Sequence, residues 1–426
     1  MTRLTIFVFT LFFAISGVHA AELRGHGGPV RGLSVSADGA TALTGSFDST
    51  AILWSLEDGS AARVFRFHDG GVNAVALLAD GRAATAGEDG RIAIWESGKT
   101  RPARVLLGHS APVVALAVSP DGKQLGSAAW DGVARVWQLD GGGAPRMLEG
   151  HRGNVNGVGF LPSGEIATVG YDATLRIWPE SGPALVVNFP TPLNALVVLP
   201  GGGLAVGGAD GRLRVVTVDG KIRAEAEIGP TPVIAVAATA DGARLAAAGV
   251  RGAVWILKTD NLELERTLVG PGMPVWSLAF VPGTDELLSG GSDRLVRRWN
   301  AATGALLGAG IATGPADPLA EYAGDPGAEV FRACVACHTL QPDEGPRAGP
   351  TLHGVMGRLI ASAPGYDYSP EFSRLDIVWT PKTIARLFEI GPHAYTPGTK
   401  MPEQTINRAV DREALVRFLE RATAPE

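Results

Sequence analysis

The stretch VNAVALLADGRAATAGEDGRIAIW, residues 72–95, holds most of one unit of a pattern that fills two thirds of the chain. Val72 to Leu77 alternates between apolar and small or polar residues, as a half-buried strand does. Arg82 to Gly87 and Arg91 to Trp95 read as the next two strands. Working outward, the apolar residue that opens the unit recurs at Val30, Val72, Val113, Val155, Leu193, Val233 and Val275, a spacing of 38 to 42 residues. A second marker keeps step with it: Asp48, Asp89, Asp131, Asp172, Asp210 and Asp293, with Arg251 in the sixth unit. Six residues after each stand Trp54, Trp95, Trp137, Trp178, Val216, Leu257 and Trp299. Turns such as Ala37-Asp38-Gly39, Pro120-Asp121-Gly122 and Ala240-Asp241-Gly242 supply the residues a tight hairpin demands. A period of this length is that of a four-stranded propeller blade, and seven units predict a closed ring that hides its sheet edges.

The repeats resemble the WD40 family over some 280 residues. That family ties each blade with His, Ser/Thr, Asp and Trp. The first four units match in full: His26, Thr44, Asp48 and Trp54; His68, Thr85, Asp89 and Trp95; His109, Ser127, Asp131 and Trp137; His151, Thr168, Asp172 and Trp178. The seventh keeps Ser289, Asp293 and Trp299 but has Pro271 at the histidine position; the fifth keeps only Asp210, and the sixth none. Blades five and six are therefore expected to be the softer part of the ring. Two short segments compete to supply the last outer strand, Glu22 to Arg24 and Ala305 to Leu307, and the resemblance favours the first. It also implies that the residue before each repeat aspartate lies on one rim and meets partners. Phe47, Glu88, Trp130 and Tyr171 stand there in blades one to four; Arg31, Asn73, Asn156, Asn194 and Trp276 follow the strand anchors and are expected on the same side. Phe47, Glu88, Trp130, Tyr171 and Trp276 form the candidate partner surface, with simple packing between blades as the competing reading.

Residues 1–20 have the three-part form of a secretory signal: Arg3, an apolar run from Leu4 to Gly17, and small residues at Val18-His19-Ala20. The run is short for a bilayer span, and no later stretch is long and apolar enough for one. Cleavage after Ala20 predicts export, most simply to a bacterial periplasm. The whole chain carries a net charge of −6, and scattered Lys and Arg leave no basic stripe for nucleic acid. The expected organisation is a signal peptide at 1–20, a propeller at 21–307, a Gly/Pro/Ala-rich linker at 308–324, and a small α-helical domain at 325–426.

The last domain opens with Asp325-Pro326, a helix N-cap followed by proline at the first helical position. Ser369-Pro370 and Thr380-Pro381 begin further helices, and Asp411 is expected to cap a last one whose apolar face is Leu415, Phe418, Leu419 and Ala422. Between them lies Cys334-Val335-Ala336-Cys337-His338, the C-x-x-C-H signature of covalent c-type haem. Two thiols one turn apart can each add to a haem vinyl group, and the adjacent imidazole can ligate iron. A redox dithiol or a structural disulfide uses the same two cysteines, the only two in the chain.

From Gly327 onward the sequence resembles class I cytochromes c of the mitochondrial and bacterial c2 type. The resemblance rests on Cys334 to His338, Gly349-Pro350-Thr351-Leu352-His353-Gly354, Gly357-Arg358, Pro364-Gly365-Tyr366, Trp379 and Pro397-Gly398-Thr399-Lys400-Met401. It implies one covalent haem, with His338 and Met401 as axial ligands and the Pro350 carbonyl holding the far nitrogen of His338. Arg358, Tyr368, Trp379 and Thr399 would hold the propionates, and Gly327 and Phe331 would cross Leu415 and Phe418. Two features depart from the family. Phe388 stands where a tyrosine is usual, and residues 321–426 carry two Lys and nine Arg against five Asp and nine Glu, so the ring of lysines is missing. The expected function is single-electron transfer to redox proteins, with the propeller as a docking scaffold and a membrane complex among its possible partners. The alternative is an oxidoreductase whose propeller hosts catalysis.

Overall fold

Four strands per repeat, seven times over, build the N-terminal part of this computed structural model, which describes residues 22–270, 272–307, 319–335, 337–342, 347–401 and 404–424. The unit quoted above forms the strands Val72–Leu77, Ala83–Gly87 and Ile92–Trp95, completed by Arg104–Leu106, all antiparallel and in chain order. Each of the other blades repeats this meander, and six of the seven draw all four strands from one continuous segment.

The seventh blade is the exception, and it closes the ring. Its strands Val275–Phe280, Glu286–Gly291 and Val296–Asn300 receive their outer neighbour from Glu22–Leu23, with Leu23 opposite Val296. The other contender shares that edge. Leu306 bridges to Trp299, and the Leu307 N–H donates to the Arg298 carbonyl at 2.8 Å. Two residues from one end of the propeller and a few from the other thus split one strand edge between them, because neither is long enough to cover it.

The apolar residues sort into seven clusters, each joining two neighbouring blades. Leu23, Val30 and Trp54 meet Val281, Leu288 and Val296 across the closure. Phe65 meets Trp95 between blades one and two, and Leu204 and Val216 meet Val169 and Ile177 between blades four and five. Apolar burial runs unbroken around the ring because each sheet is apolar on both faces, which is why a blade's central strand is buried along its length rather than at alternate residues: Ala42, Leu43 and Thr44 are all fully buried.

The C-terminal domain has one core. After a single 3-10 turn at Ala320–Tyr322 come α1 (Pro326–Phe331), α2 (Pro381–Ile390), α3 (Pro392–Tyr395) and α4 (Ala409–Ala422). Asp325 caps α1 by accepting from the Gly327 and Ala328 N–H groups at 2.7 and 3.3 Å. Thr380 and Thr383 form a reciprocal capping box on α2. The stretch begun by Ser369-Pro370 closes only a 3-10 turn, Pro370–Arg374, without a side-chain cap. One expectation fails: Asp411 does not cap α4. The helix begins earlier, after an extended Arg408, and Asp411 lies inside its first turn, pairing with Arg408 at 3.6 Å. The carboxylate still sits at the positive end of the helix, but it complements the dipole there rather than a single N–H.

The two terminal helices cross at Gly327. A Cβ there would lie 2.1 Å from the Ala414 carbonyl and 2.5 Å from the Phe418 Cβ, so only glycine permits the approach. Phe418 is fully buried, with Phe331 and Tyr322 rings at 5.4 and 5.0 Å. This crossing fixes where α1 ends and so where the C-x-x-C-H turn begins. Residues 1–21, the proposed signal included, lie outside the described residues, as do Pro271 and most of the linker. No helix among the described residues is long and apolar enough to cross a membrane.

Candidate haem site

Beyond α1 the chain keeps a helical sense: the Cys337 and His338 N–H groups both donate to the Cys334 carbonyl, at 3.1 and 3.0 Å. That turn sets the two thiols and the imidazole on one short arc. Both thiols are free. Burial pushes the Cys334 thiol up to about 11 and the Cys337 thiol to about 12. A reactive redox dithiol uses the opposite shift, toward thiolate at neutral pH.

His338 is oriented before any ligand arrives. Its Nδ1 lies 2.8 Å from the Pro350 carbonyl oxygen. A carbonyl only accepts, so Nδ1 carries the proton and Nε2 carries the lone pair. Burial, first of all, lowers the affinity of this ring for a second proton, and the Pro350 carbonyl opposes that only in part. Gly349 lets the ring close in: a Cβ there would fall 2.5 Å from Cε1. Gly349 N–H in turn donates to the Cys337 carbonyl at 2.8 Å, tying the two strands of the site together.

The remaining candidates fall on two sides of this ring. Arg358 Nη1 and Nη2 donate to the His353 and Thr351 carbonyls at 2.9 and 2.7 Å, which leaves three of its five donor hydrogens uncommitted. Burial lowers its pKa, with Tyr368 facing it. Trp379 N–H donates to the Arg358 carbonyl at 2.9 Å, so these two residues travel as a pair on one short antiparallel stretch. Tyr368 stacks edge-on against Tyr366 at 4.6 Å. Thr399 Oγ1 accepts from the Met401 N–H at 3.1 Å on the loop turned by Pro397-Gly398, where Gly398 has φ +84°. Met401 packs against the same apolar cluster as Phe331, Leu387 and Phe388. His353 is held by its backbone, with its Nδ1 buried and without a partner among the described residues.

An imidazole offering one lone pair, a thioether and two thiols on a buried apolar wall is the donor set that a covalent c-type haem requires. The residues fit the group. Among the described residues no group of three or more His, Cys, Asp or Glu side chains is placed to hold a metal ion.

In the propeller, the four complete sets form the expected network. In blade one, His26 Nδ1 lies 2.9 Å from Asp48 and Nε2 lies 2.7 Å from Thr44, whose hydroxyl oxygen accepts from the Trp54 indole at 2.8 Å. Blades two to four repeat it. Blade five does something the sequence reading missed. Arg214, only 2 % exposed, spans Asp210 at 2.6 Å and Glu225 at 2.8 Å, replacing the histidine network by an ion triad whose guanidinium is buried and whose Glu225 reaches the surface. The signal was there: an arginine four residues after the repeat aspartate also occurs as Arg135, Arg176 and Arg297, and each pairs with its own aspartate.

On the rim, Phe47, Trp130 and Tyr171 are exposed. Trp130 donates to the Asn156 side chain at 3.2 Å, and the Glu88 carboxylate accepts from the Gly71 N–H at 3.0 Å. Trp276 is half-buried: its indole donates to Ser292 at 2.7 Å, and the Arg31 guanidinium lies 4.3 Å from its ring. Four of the five candidate rim residues, Glu88 included, are thus exposed, while Trp276 is held between Ser292 and Arg31.

Comparison with known proteins finds two kinds of relative. The WD domain, G-beta repeat family matches residues 17–55, 59–96, 100–138, 144–179 and 262–300. The units without a match are the fifth and sixth, the two that lack the His and Trp of the set. The C-terminal part is 40% identical over 98 residues to "Cytochrome c" of Cochliobolus lunatus, covering 23% of this chain and 90% of that one. The same identity and length hold for "Cytochrome c" of Arabidopsis thaliana, covering 87% of it. "Cytochrome c type-1" of Ascaris suum is 37% identical over 107 residues, 25% of this chain and 92% of the relative.

Proposed function

We propose that this chain, which belongs to the cytochrome c family by its C-terminal domain and carries a seven-bladed WD40 propeller ahead of it, passes single electrons through one covalent haem held by Cys334 and Cys337. The observation that carries the reading is the state of His338: with Nδ1 spent on Pro350, the ring can offer only Nε2 to a metal. Bound haem iron supplies reversible one-electron chemistry, at a potential that a methionine ligand raises. His338 and Met401 would be the protein's two ligands to that iron, a donor pair that would favour electron transfer over substrate chemistry. Arg358, Tyr368, Trp379 and Thr399 steady the propionates, and Arg358 has donor hydrogens left to do so. Phe388 puts an apolar ring where a hydroxyl is usual, so the Met401 sulfur keeps its full donor strength. The propeller serves as the docking scaffold for a redox protein or a membrane complex, and the first twenty residues direct the chain to the periplasm.

The test is a haem count and a potentiometric titration of the purified full chain. One haem per chain, titrating as a single one-electron couple, is the expected result. A chain that holds no covalent haem, or that holds two, would sink the proposal.

A further inference from the structure

The cytochrome domain rests on the propeller, and the contact falls on the haem-attachment face. Gly27, which follows the blade-one histidine, lies directly against the Cys337 thiol: a Cβ on it would be 2.0 Å from Sγ. Beside it the Ala348 N–H donates to the Gly25 carbonyl at 3.2 Å. Arg66, from the outer strand of blade one, reaches across and lays its guanidinium 3.9 Å over the Tyr366 ring. The same group donates to the Ala348 carbonyl at 3.3 Å and to the Arg347 carbonyl. On the far side Lys400, next to Met401, donates to the His68 carbonyl and faces Asp69 at 3.8 Å. The propeller therefore holds both the second thiol and the methionine loop.

The sequence of the rim is particular to these two blades. The residue after the repeat histidine is Gly27, Asp69, Ser110 and Arg152 in blades one to four. Only the first could admit the thiol, and only the second offers a carboxylate to Lys400. An interchangeable rim would not vary in this way.

From this juxtaposition we infer that the rim of blades one and two is a docking surface for the chain's own haem face, which seals the edge bonded through Cys337 from external redox partners. The occupant is the segment around Cys337, Ala348, Tyr366 and Lys400. Its anchors are polar, with Arg66 and Lys400 half-buried and the single charge pair Lys400–Asp69 open to solvent, the character of an interface that opens rather than of a permanent core. Electron exchange at that edge then follows the fraction of time the domains stand apart. Exposed Trp130 and Tyr171 lie on blades three and four, outside the occupied part of the rim, and stay free for a second protein. This inference rests on the haem reading for its consequence but not for its geometry.

The experiment uses the full holoprotein and two propeller variants: Arg66→Ala, which removes a propeller side chain outside the residues placed at the haem, and Gly27→Leu, which puts bulk against the Cys337 thiol. A carbodiimide joins amine to carboxylate only at ion-pair distance, so wild type should give a Lys400–Asp69 cross-link at a yield independent of protein concentration, and both variants should lose it. The rate of oxidation by ferricyanide, with the haem spectrum unchanged, should rise in the variants; an edge open a tenth of the time reacts about tenfold more slowly than one always open. Arg66→Ala, which adds no bulk to blade one, serves as the readout if Gly27→Leu fails to fold. Absence of the cross-link from wild type, or equal oxidation rates in wild type and Arg66→Ala, would overturn the docking. A chain without haem that still forms the cross-link would instead sink the electron-transfer reading alone.

Discussion

The two domains solve the same problem of burial in opposite ways. The propeller spreads its apolar surface over seven junctions, each shared by two blades, and pins four of the blades with a small polar network. The C-terminal domain gathers everything into one cluster around Phe331 and Phe418, with short helices and long connections. A haem bound there would add apolar surface to that one core. The contrast to test is therefore between a ring that stands by itself and a domain that would lean on its cofactor.

The strongest way to break that contrast is to remove the attachment. Cys334→Ser with Cys337→Ser should abolish the unfolding transition of the C-terminal domain, a loss on the order of 5 kcal/mol, while the propeller transition stays in place. Calorimetry of the double variant checks it; two intact transitions would show that the haem domain needs no haem to fold. Next in size, Phe418→Ala should cost the same domain about 3–5 kcal/mol, since it empties the helix crossing. Denaturant titration followed by the haem absorbance reads this domain alone.

Smaller effects belong to the propeller. Thr44→Val removes the hydroxyl between His26 and Trp54 and leaves the buried Trp54 indole N–H and the His26 Nε2 short of a partner, a cost of about 1–3 kcal/mol. It should lower the propeller midpoint and leave the haem domain unmoved. Acid should act in the same place. Burial lowers His109 and His151 below the ordinary imidazole value of 6.5, against the pull of Asp131 and Asp172. Burial raises those two carboxylates, but their imidazole, backbone and arginine or threonine partners outweigh it and hold them below 3.8. In both cases the folded state binds protons less readily than the unfolded one. The contribution is therefore complete above pH 6.5 and fades as pH falls, first with the imidazoles and then with the carboxylates. Melting curves across that range should show the propeller midpoint falling below pH 6.5 and flat above it; a midpoint that rises on acidification would contradict the assignment.

Much of this was legible in advance because the determining signals are local spacings. Seven anchors and a six-residue interval that runs from Asp to Trp in five of the units set the blade count, and C-x-x-C-H set the expectation of a haem site whose His338 meets Pro350. The Pro350 contact could be anticipated because a histidine ligand needs a carbonyl or carboxylate at its second nitrogen. What escaped depends on partners distant in sequence. Arg214 is an ordinary strand residue until its pairing opposite Glu225 brings a carboxylate to it. Asp411 looked like a cap because its chemistry suits one, but the backbone turns helical three residues sooner. The glycine after His26 gave no sign by itself: its meaning lies in a thiol more than 300 residues away. Ring closure fell between the two readings, with the expected N-terminal strand in place and the C-terminal segment sharing its edge.

The most direct test of the central claim is a carbon monoxide titration of the reduced holoprotein beside Met401→Ala. The account predicts that wild type, with His338 and Met401 closing both axial positions, keeps its spectrum unchanged at saturating gas, and that Met401→Ala binds one carbon monoxide per chain. A wild-type spectrum that shifts with the gas, or a Met401→Ala variant that behaves like wild type, would contradict it.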